Sequence, residues 1–164
     1  MIKHYQATIE QAIEFISSIS DEAYLGQNQS SSIGAHTRHI IDHFRVIKSA
    51  LDSDSLIVDY EDRDRGNSIE TDKDSALKAL EFLSSWLNEL KIEKLNQECV
   101  VRAEVSNADS CITNCRSTIA REIMFAASHA VHHYALMKNL IADIQLISAP
   151  NNFGVAPSTV QFQR

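Results

Sequence analysis

Six of the seven histidines in this 164-residue chain fall in two short runs. The first is His36-Thr37-Arg38-His39-Ile40-Ile41-Asp42-His43, and the second is His129-Ala130-Val131-His132-His133; His4 stands apart. Each run contains an i, i+4 pair, His39 with His43 and His129 with His133. On an α-helix that spacing leaves the Cβ atoms about 5–6 Å apart. Two imidazoles can then reach one cation at about 2.0–2.1 Å each. A third from a facing helix would complete three corners of a tetrahedron or one face of an octahedron. Neutral imidazole suits zinc, nickel, iron or copper, and suits calcium or magnesium poorly. Any one histidine alone reads more simply as a hydrogen-bonded or solvated side chain at a core edge. The joint pattern is what favours a metal.

The pairs need helices to hold them, and the hydrophobic period supplies four. The first spans about 4–19, with Ile9, Ile13 and Ile16 in step. The second spans about 32–51, where Ile33, Ile40, Phe44, Ile47 and Leu51 form one apolar stripe. Ser30, Ser31 and Ser32 precede it as candidate N-caps. The third spans about 72–90, with Ala76, Leu77, Leu80, Leu83, Leu87 and Leu90 in its stripe and Thr71 or Asp72 as cap. The fourth spans about 118–142, with Ile119, Ile123, Ala126, Ala130, Tyr134, Met137 and Ile141 in its stripe and Ser117 as cap. At 100° per residue, His39 and His43 lie about −100° and −60° from Ile40, and His129 and His133 lie at the same angles from Ala130. Both pairs therefore occupy the same flank of their stripes. His36 sits nearer the core, at about −40°, and His132 points to nearly the opposite face.

Four amphipathic helices pack naturally as an all-α four-helix bundle, read as one domain over residues 1–164. Residues 52–71 form a long, charged crossover between helices two and three. Residues 92–116 are too long for a structureless loop. Alternation of Cys99, Val101, Ala103 and Val105 with polar or outward positions, then turn-like Ser106-Asn107-Ala108-Asp109, predicts a small β-hairpin before helix four, about 98–105 with 110–115. The tail 144–164 holds both prolines and reads as irregular.

The formal net charge is −7. This argues against nucleic acid or an anionic membrane surface as the main partner, since both reward clustered Lys and Arg. No stretch reaches the ~18–20 apolar residues of a membrane span, and residues 1–10 lack an apolar signal core. With three cysteines, too few for a disulfide framework, this places the chain in the cytoplasm. Cys111-x3-Cys115 could be a bridge or half of a soft metal site, but no second pair exists to complete a zinc site. Four glycines leave no room for a dinucleotide fingerprint or a P-loop.

The run Ser32 to His43, taken with Ser128-His129-Ala130-Val131-His132-His133-Tyr134-Ala135-Leu136, resembles the DinB-like (DinB/YfiT) superfamily. The resemblance implies a four-helix bundle with a divalent metal on three histidines: His39 from the second helix, and His129 with His133 from the last. It also implies a possible homodimer, and metal-dependent hydrolases or thiol-dependent transferases among relatives; the metal itself is open between zinc and nickel, since geometry and supply decide that and not ligand type. Asp59-Tyr60, Arg63, Arg65, Ile69-Glu70, Arg121-Glu122 and Phe153 to Thr159 resemble a subgroup of the same superfamily.

Three ligands leave coordination positions open, the layout of a catalytic site. Such a cation acidifies bound water, polarises a carbonyl or binds a thiolate, which suits a small-molecule substrate. Glu122, on the same flank two turns before His129, is the candidate catalytic carboxylate; its competing reading is a first-turn acid complementing the helix dipole. His43, His36 and His132 are candidate additional ligands or orienting partners. Asp42 faces away from the histidines, Arg63 and Arg65 read as an ion-paired loop with Asp62 and Asp64, and Tyr60 reads as packing or as cover for a pocket. The alternative to an enzyme is a non-catalytic metal- or ligand-binding, stress-associated bundle protein.

Overall fold

The computed structural model describes residues 2–26, 31–142 and 149–163. Four long helices dominate: α1 (Ile2–Ser18), α3 (Ile33–Asp52), α4 (Lys73–Glu89) and α6 (Ile119–Ala142). Short helices α2 (Asp21–Leu25), α5 (Ile92–Leu95) and α7 (Pro157–Phe162) complete the helical part among the described residues. Helix α1 packs on α4 and α6, and α3 packs on the same two. The stripes read from sequence meet along this seam: Ile9 and Ile16, Ile40, Phe44 and Ile47, Leu80 and Leu87, Ile123, Ala130 and Tyr134 are all essentially inaccessible to solvent.

Helix starts follow side-chain chemistry. Ser32 caps α3 by accepting from the Ala35 amide at 3.0 Å. Asp72 caps α4 by accepting from the Asp74 and Ser75 amides. At α6 the cap is Thr118, which accepts from the Arg121 amide at 3.3 Å, and not Ser117. Ser117 instead turns its hydroxyl onto Glu122. Ser30 lies outside the described residues.

A wholly α description leaves out a three-stranded sheet. Its strands are β1 (Ile57–Asp59), β2 (Glu98–Glu104) and β3 (Ile112–Thr118). The hairpin pairs 98–104 with 112–118, so its second strand runs three residues further than the alternation indicated. That alternation sets the buried face at Cys99 and Val101. Strand β1 adds parallel to β2, with Val58 opposite Val101. Residues 52–71 are therefore no plain loop: they hold β1 and a 3-10 turn, Ser68–Glu70. A three-residue strand carries too little alternation to be read from sequence, and its pairing is supplied wholly by β2.

The 3-10 turn lies directly on the start of α3. A Cβ on Gly34 would sit 2.1 Å from the Glu70 carbonyl oxygen and 2.9 Å from the Tyr24 ring, so only glycine lets the crossover approach so closely. Within the described part of the tail, residues 149–156 are irregular around a turn at 151–154, and Pro157–Phe162 forms the short helix α7. Phe153 is buried, stacked at 4.3 Å on Phe15 and 4.7 Å on Tyr134, and Pro157 opens α7 at a position where a missing amide costs nothing. Residues 144–148 of that tail lie outside the described residues.

Candidate metal centre

The contact of α3 with α6 brings the two histidine runs face to face. Nε2 of His129 lies 3.0 Å from Nε2 of His39 and 3.1 Å from Nε2 of His133. His39, His129 and His133 form the one group among the described residues whose ligand atoms all fall within 4.8 Å of one another in a set able to hold a metal ion. Nitrogens held at about 2.0–2.1 Å from one cation sit about 3.3–3.4 Å apart at tetrahedral angles and about 2.9 Å apart at octahedral angles. The observed spacings fall between the two. Neutral imidazoles this close meet lone pair to lone pair unless a proton or a cation stands between them, so the donor set fits a divalent transition metal.

The electrostatics favour that state. Burial holds the imidazoles of His39 and His133 down to about 3 and that of His129 to about 4, with the neighbouring histidines adding to the depression. His36 and His43 are lowered for the same first reason, and the Arg63 guanidinium adds to the effect on His39 and His43. All five imidazoles are thus neutral at pH 7, the form a metal requires.

The other three histidines take different places. His36 bonds His133, Nδ1 to Nδ1 at 2.8 Å, and its Nε2 meets the Ser31 hydroxyl at 3.3 Å. It therefore meets a candidate ligand imidazole without joining the ligand group. His43 donates from Nδ1 to the His39 carbonyl at 2.9 Å and packs its ring against His129 and Tyr60. It lines the site without joining the ligand group. His132 is exposed. It borders a separate, mainly apolar groove of about 510 Å³ with Tyr5, Val131, Ala135 and Pro157. At 100° per residue that groove faces roughly 150° away from the His129–His133 flank of α6, so the larger cavity is not the candidate metal centre.

Glu122 is fully buried and sits at the hub of a different network. Its carboxylate accepts from the Tyr60 hydroxyl at 2.8 Å, from Arg121 Nη1 at 2.9 Å and from the Ser117 hydroxyl. No hydrogen bond joins it to a histidine among the described residues. Tyr60 is fixed from behind by its amide, which donates to the Arg102 carbonyl at 2.9 Å where β1 ends. Its ring covers His43 at 5.0 Å between centroids. Phe125 completes the cover, stacked on His129 at 5.7 Å. Phe125 was not legible as a site residue, because an aromatic one turn before a histidine reads as ordinary packing.

The crossover lies against His39 and His43. A hollow of about 10 Å³ lies among His39, His43, Tyr60, Arg63 and the two acids Asp42 and Asp62, room for roughly one water. Asp42, which its helical angle places away from the histidines, borders the same hollow in the structure; it pairs with Arg38 at 2.8 Å and Arg45 at 3.4 Å and bonds no histidine among the described residues. Asp62 is held by Arg45 and not by its neighbour Arg63. Arg63 donates instead to the Tyr60 carbonyl at 3.1 Å and pairs with Glu61 at 3.7 Å. The cysteines form no site: Cys99 is buried, while Cys111 and Cys115 are exposed, and all three are free. Four steps along an extended chain separate the latter two by about 13 Å, too far to bridge or share an ion.

A crystal structure of a DinB-like protein from Bacillus subtilis, YjoA, aligns with 91% of this chain and 94% of its own, at a TM-score of 0.64 and 16% identity. The chain has a DinB-like fold. No protein-family model matches it. FK506-binding protein 5 of Rhizopus delemar is 31% identical over 105 residues, which is 64% of this chain. The chain spans only 27% of that fungal protein's length. Within the DinB-like fold no helix among the described residues is long and apolar enough to cross a membrane.

Proposed function

We propose that the chain belongs to the DinB-like superfamily as a four-helix bundle and holds a divalent transition metal, zinc or nickel, on His39, His129 and His133. The observation that carries this is the convergence of three Nε2 atoms at 3.0 and 3.1 Å spacing from two helices. When bound, a cation with three imidazole ligands supplies Lewis acidity and an acidified water or thiol at its open positions. The reading is a metal-dependent hydrolase or a thiol-dependent transferase acting on a small molecule.

This chain's own residues support that chemistry in three ways. Tyr60 and Phe125 exclude water from the outer faces of His43 and His129. The hollow beside His39 has room for about one water. Arg63 brings guanidinium donors to the lining of that hollow, with its charge offset by Glu61 and by the Asp42 and Asp62 carboxylates. Glu122 acts as the anchor of Tyr60, and in this reading its contribution to turnover is made through that hydroxyl.

Elemental analysis of the purified protein beside a His133→Ala variant tests the proposal. About one transition metal per chain is expected in the wild type and little in the variant. A wild type free of transition metal after gentle purification would overturn it. Cobalt-loaded protein separates the enzyme from a passive binder: an open position carries a water whose titration near neutral pH changes the visible spectrum, whereas a closed site gives a flat profile.

A further inference from the structure

Resting on that reading of the metal centre, we propose that His36 is a positioning residue that fixes the proton of His133. Two imidazole nitrogens 2.8 Å apart form a hydrogen bond only if one of them carries the hydrogen. His133 directs Nε2 at His129, 3.1 Å away, inside the ligand group. An Nε2 that ligates is bare, so the ring's hydrogen stands on Nδ1. That hydrogen donates to Nδ1 of His36. His36 must then be bare at Nδ1 and carry its own hydrogen on Nε2, which donates to the Ser31 hydroxyl at 3.3 Å. Each link determines the next, and the opposite direction would put a hydrogen on the very nitrogen that ligates.

The fold makes this relay local. His36 lies one turn before His39 on α3, so one helix contributes a ligand and the acceptor that orients a ligand from the other helix. A neutral imidazole stands where a carboxylate or a backbone carbonyl is the common partner of a ligating histidine. It orients the ring without adding a negative charge. No hydrogen bond from the outer nitrogen of His39 or His129 is formed among the described residues, so His133 is the one ligand held in this way.

Zinc-loaded wild type, studied by long-range proton–nitrogen NMR correlation of the histidine rings, tests the proton placement directly. The expected pattern is hydrogen on Nδ1 of His133 and on Nε2 of His36. Hydrogen on Nδ1 of His36 would overturn the proposal. Zinc affinity by chelator competition is the second measurement. His36→Ala should weaken binding about 10–100-fold, whereas His36→Asn, whose carbonyl oxygen can occupy the place of Nδ1, should recover most of it. If the wild type binds zinc and all three proteins bind it equally, the relay is wrong while the metal centre stands. If the wild type binds none, both fall together.

Discussion

The Tyr60 hydroxyl donates to the buried Glu122 carboxylate at 2.8 Å, and this bond ties the crossover to the ligand-bearing helix. Residues 62 apart in sequence thereby set the wall of the histidine site. Burial and the adjoining carboxylate push the Tyr60 phenol far above its ordinary range, so it remains a donor throughout the useful pH range. Replacing Glu122 by Ala leaves three donors facing a void, and loss of one partner of a buried charged network typically costs about 3–5 kcal/mol. Urea unfolding should show a large drop for Glu122→Ala and a smaller one for Glu122→Gln, which keeps an acceptor. Metal content should survive in Glu122→Gln. Its loss there would place Glu122 in the metal centre itself.

The ligand assignment predicts a sharp contrast along α6. His129→Ala and His133→Ala should abolish stoichiometric metal, while His132→Ala should leave it unchanged, because His132 faces the groove and not the triad. Metal at a hundredfold excess over Kd should add about 2.7 kcal/mol to the wild type. In a chain of this size that is a rise in Tm of roughly 5–10 °C. Equal stabilisation of the His133→Ala variant would remove the basis of the assignment.

The depressed histidines make metal-free stability depend on pH in a fixed direction. In the unfolded chain these imidazoles take up protons as pH falls through about 6.5. In the folded chain His129 resists until about 4, and His39 and His133 until about 3. Between those limits the unfolded state binds more protons, so stability is complete above about 6.5 and is lost progressively toward about 3. The urea midpoint of chelator-treated protein should therefore fall between pH 7.5 and pH 5. A triple variant of His39, His129 and His133 should show a flatter profile, and an unchanged slope in that variant would reassign the effect.

Thiol chemistry offers an inexpensive check on the sheet. Cys111 and Cys115 are exposed on β3 or its approach, whereas Cys99 is buried on β2 with its thiol pushed up to about 11 by burial and the nearby Glu122 charge. Iodoacetamide at pH 8 should label the first two quickly and Cys99 only on unfolding. Fast labelling of Cys99 in the native protein would mean that the inner face of β2 is open.

The ligands and their helices were legible because both signals repeat. His39 and His43 and then His129 and His133 recur at the same angle to an apolar stripe, and long stripes such as Ile33 to Leu51 survive into the structure as buried residues. Single events were not legible. Strand β1 is three residues long and exists because β2 offers it an edge. Thr118 replaces Ser117 as cap because the Ser117 hydroxyl is drawn to the Glu122 charge, a contact decided by tertiary packing. Glu122 itself shares the histidines' flank in a helical projection. A projection cannot show that Tyr60, Ser117 and Arg121 have already engaged its carboxylate.

Strand β3 ends at Thr118 and α6 begins at Ile119, so the sheet and the ligand-bearing helix share one peptide bond. That junction has no tolerance for a change in length. One inserted residue would turn His129 and His133 by about 100° relative to the sheet or would invert the face that β3 presents. The hairpin tip, residues 105–111, sets no such phase, so a change of length there disturbs the bonds it makes to Glu104 but leaves the histidines in place. Across descendants of this gene, length variation should therefore gather at the tip and be absent between residues 115 and 133.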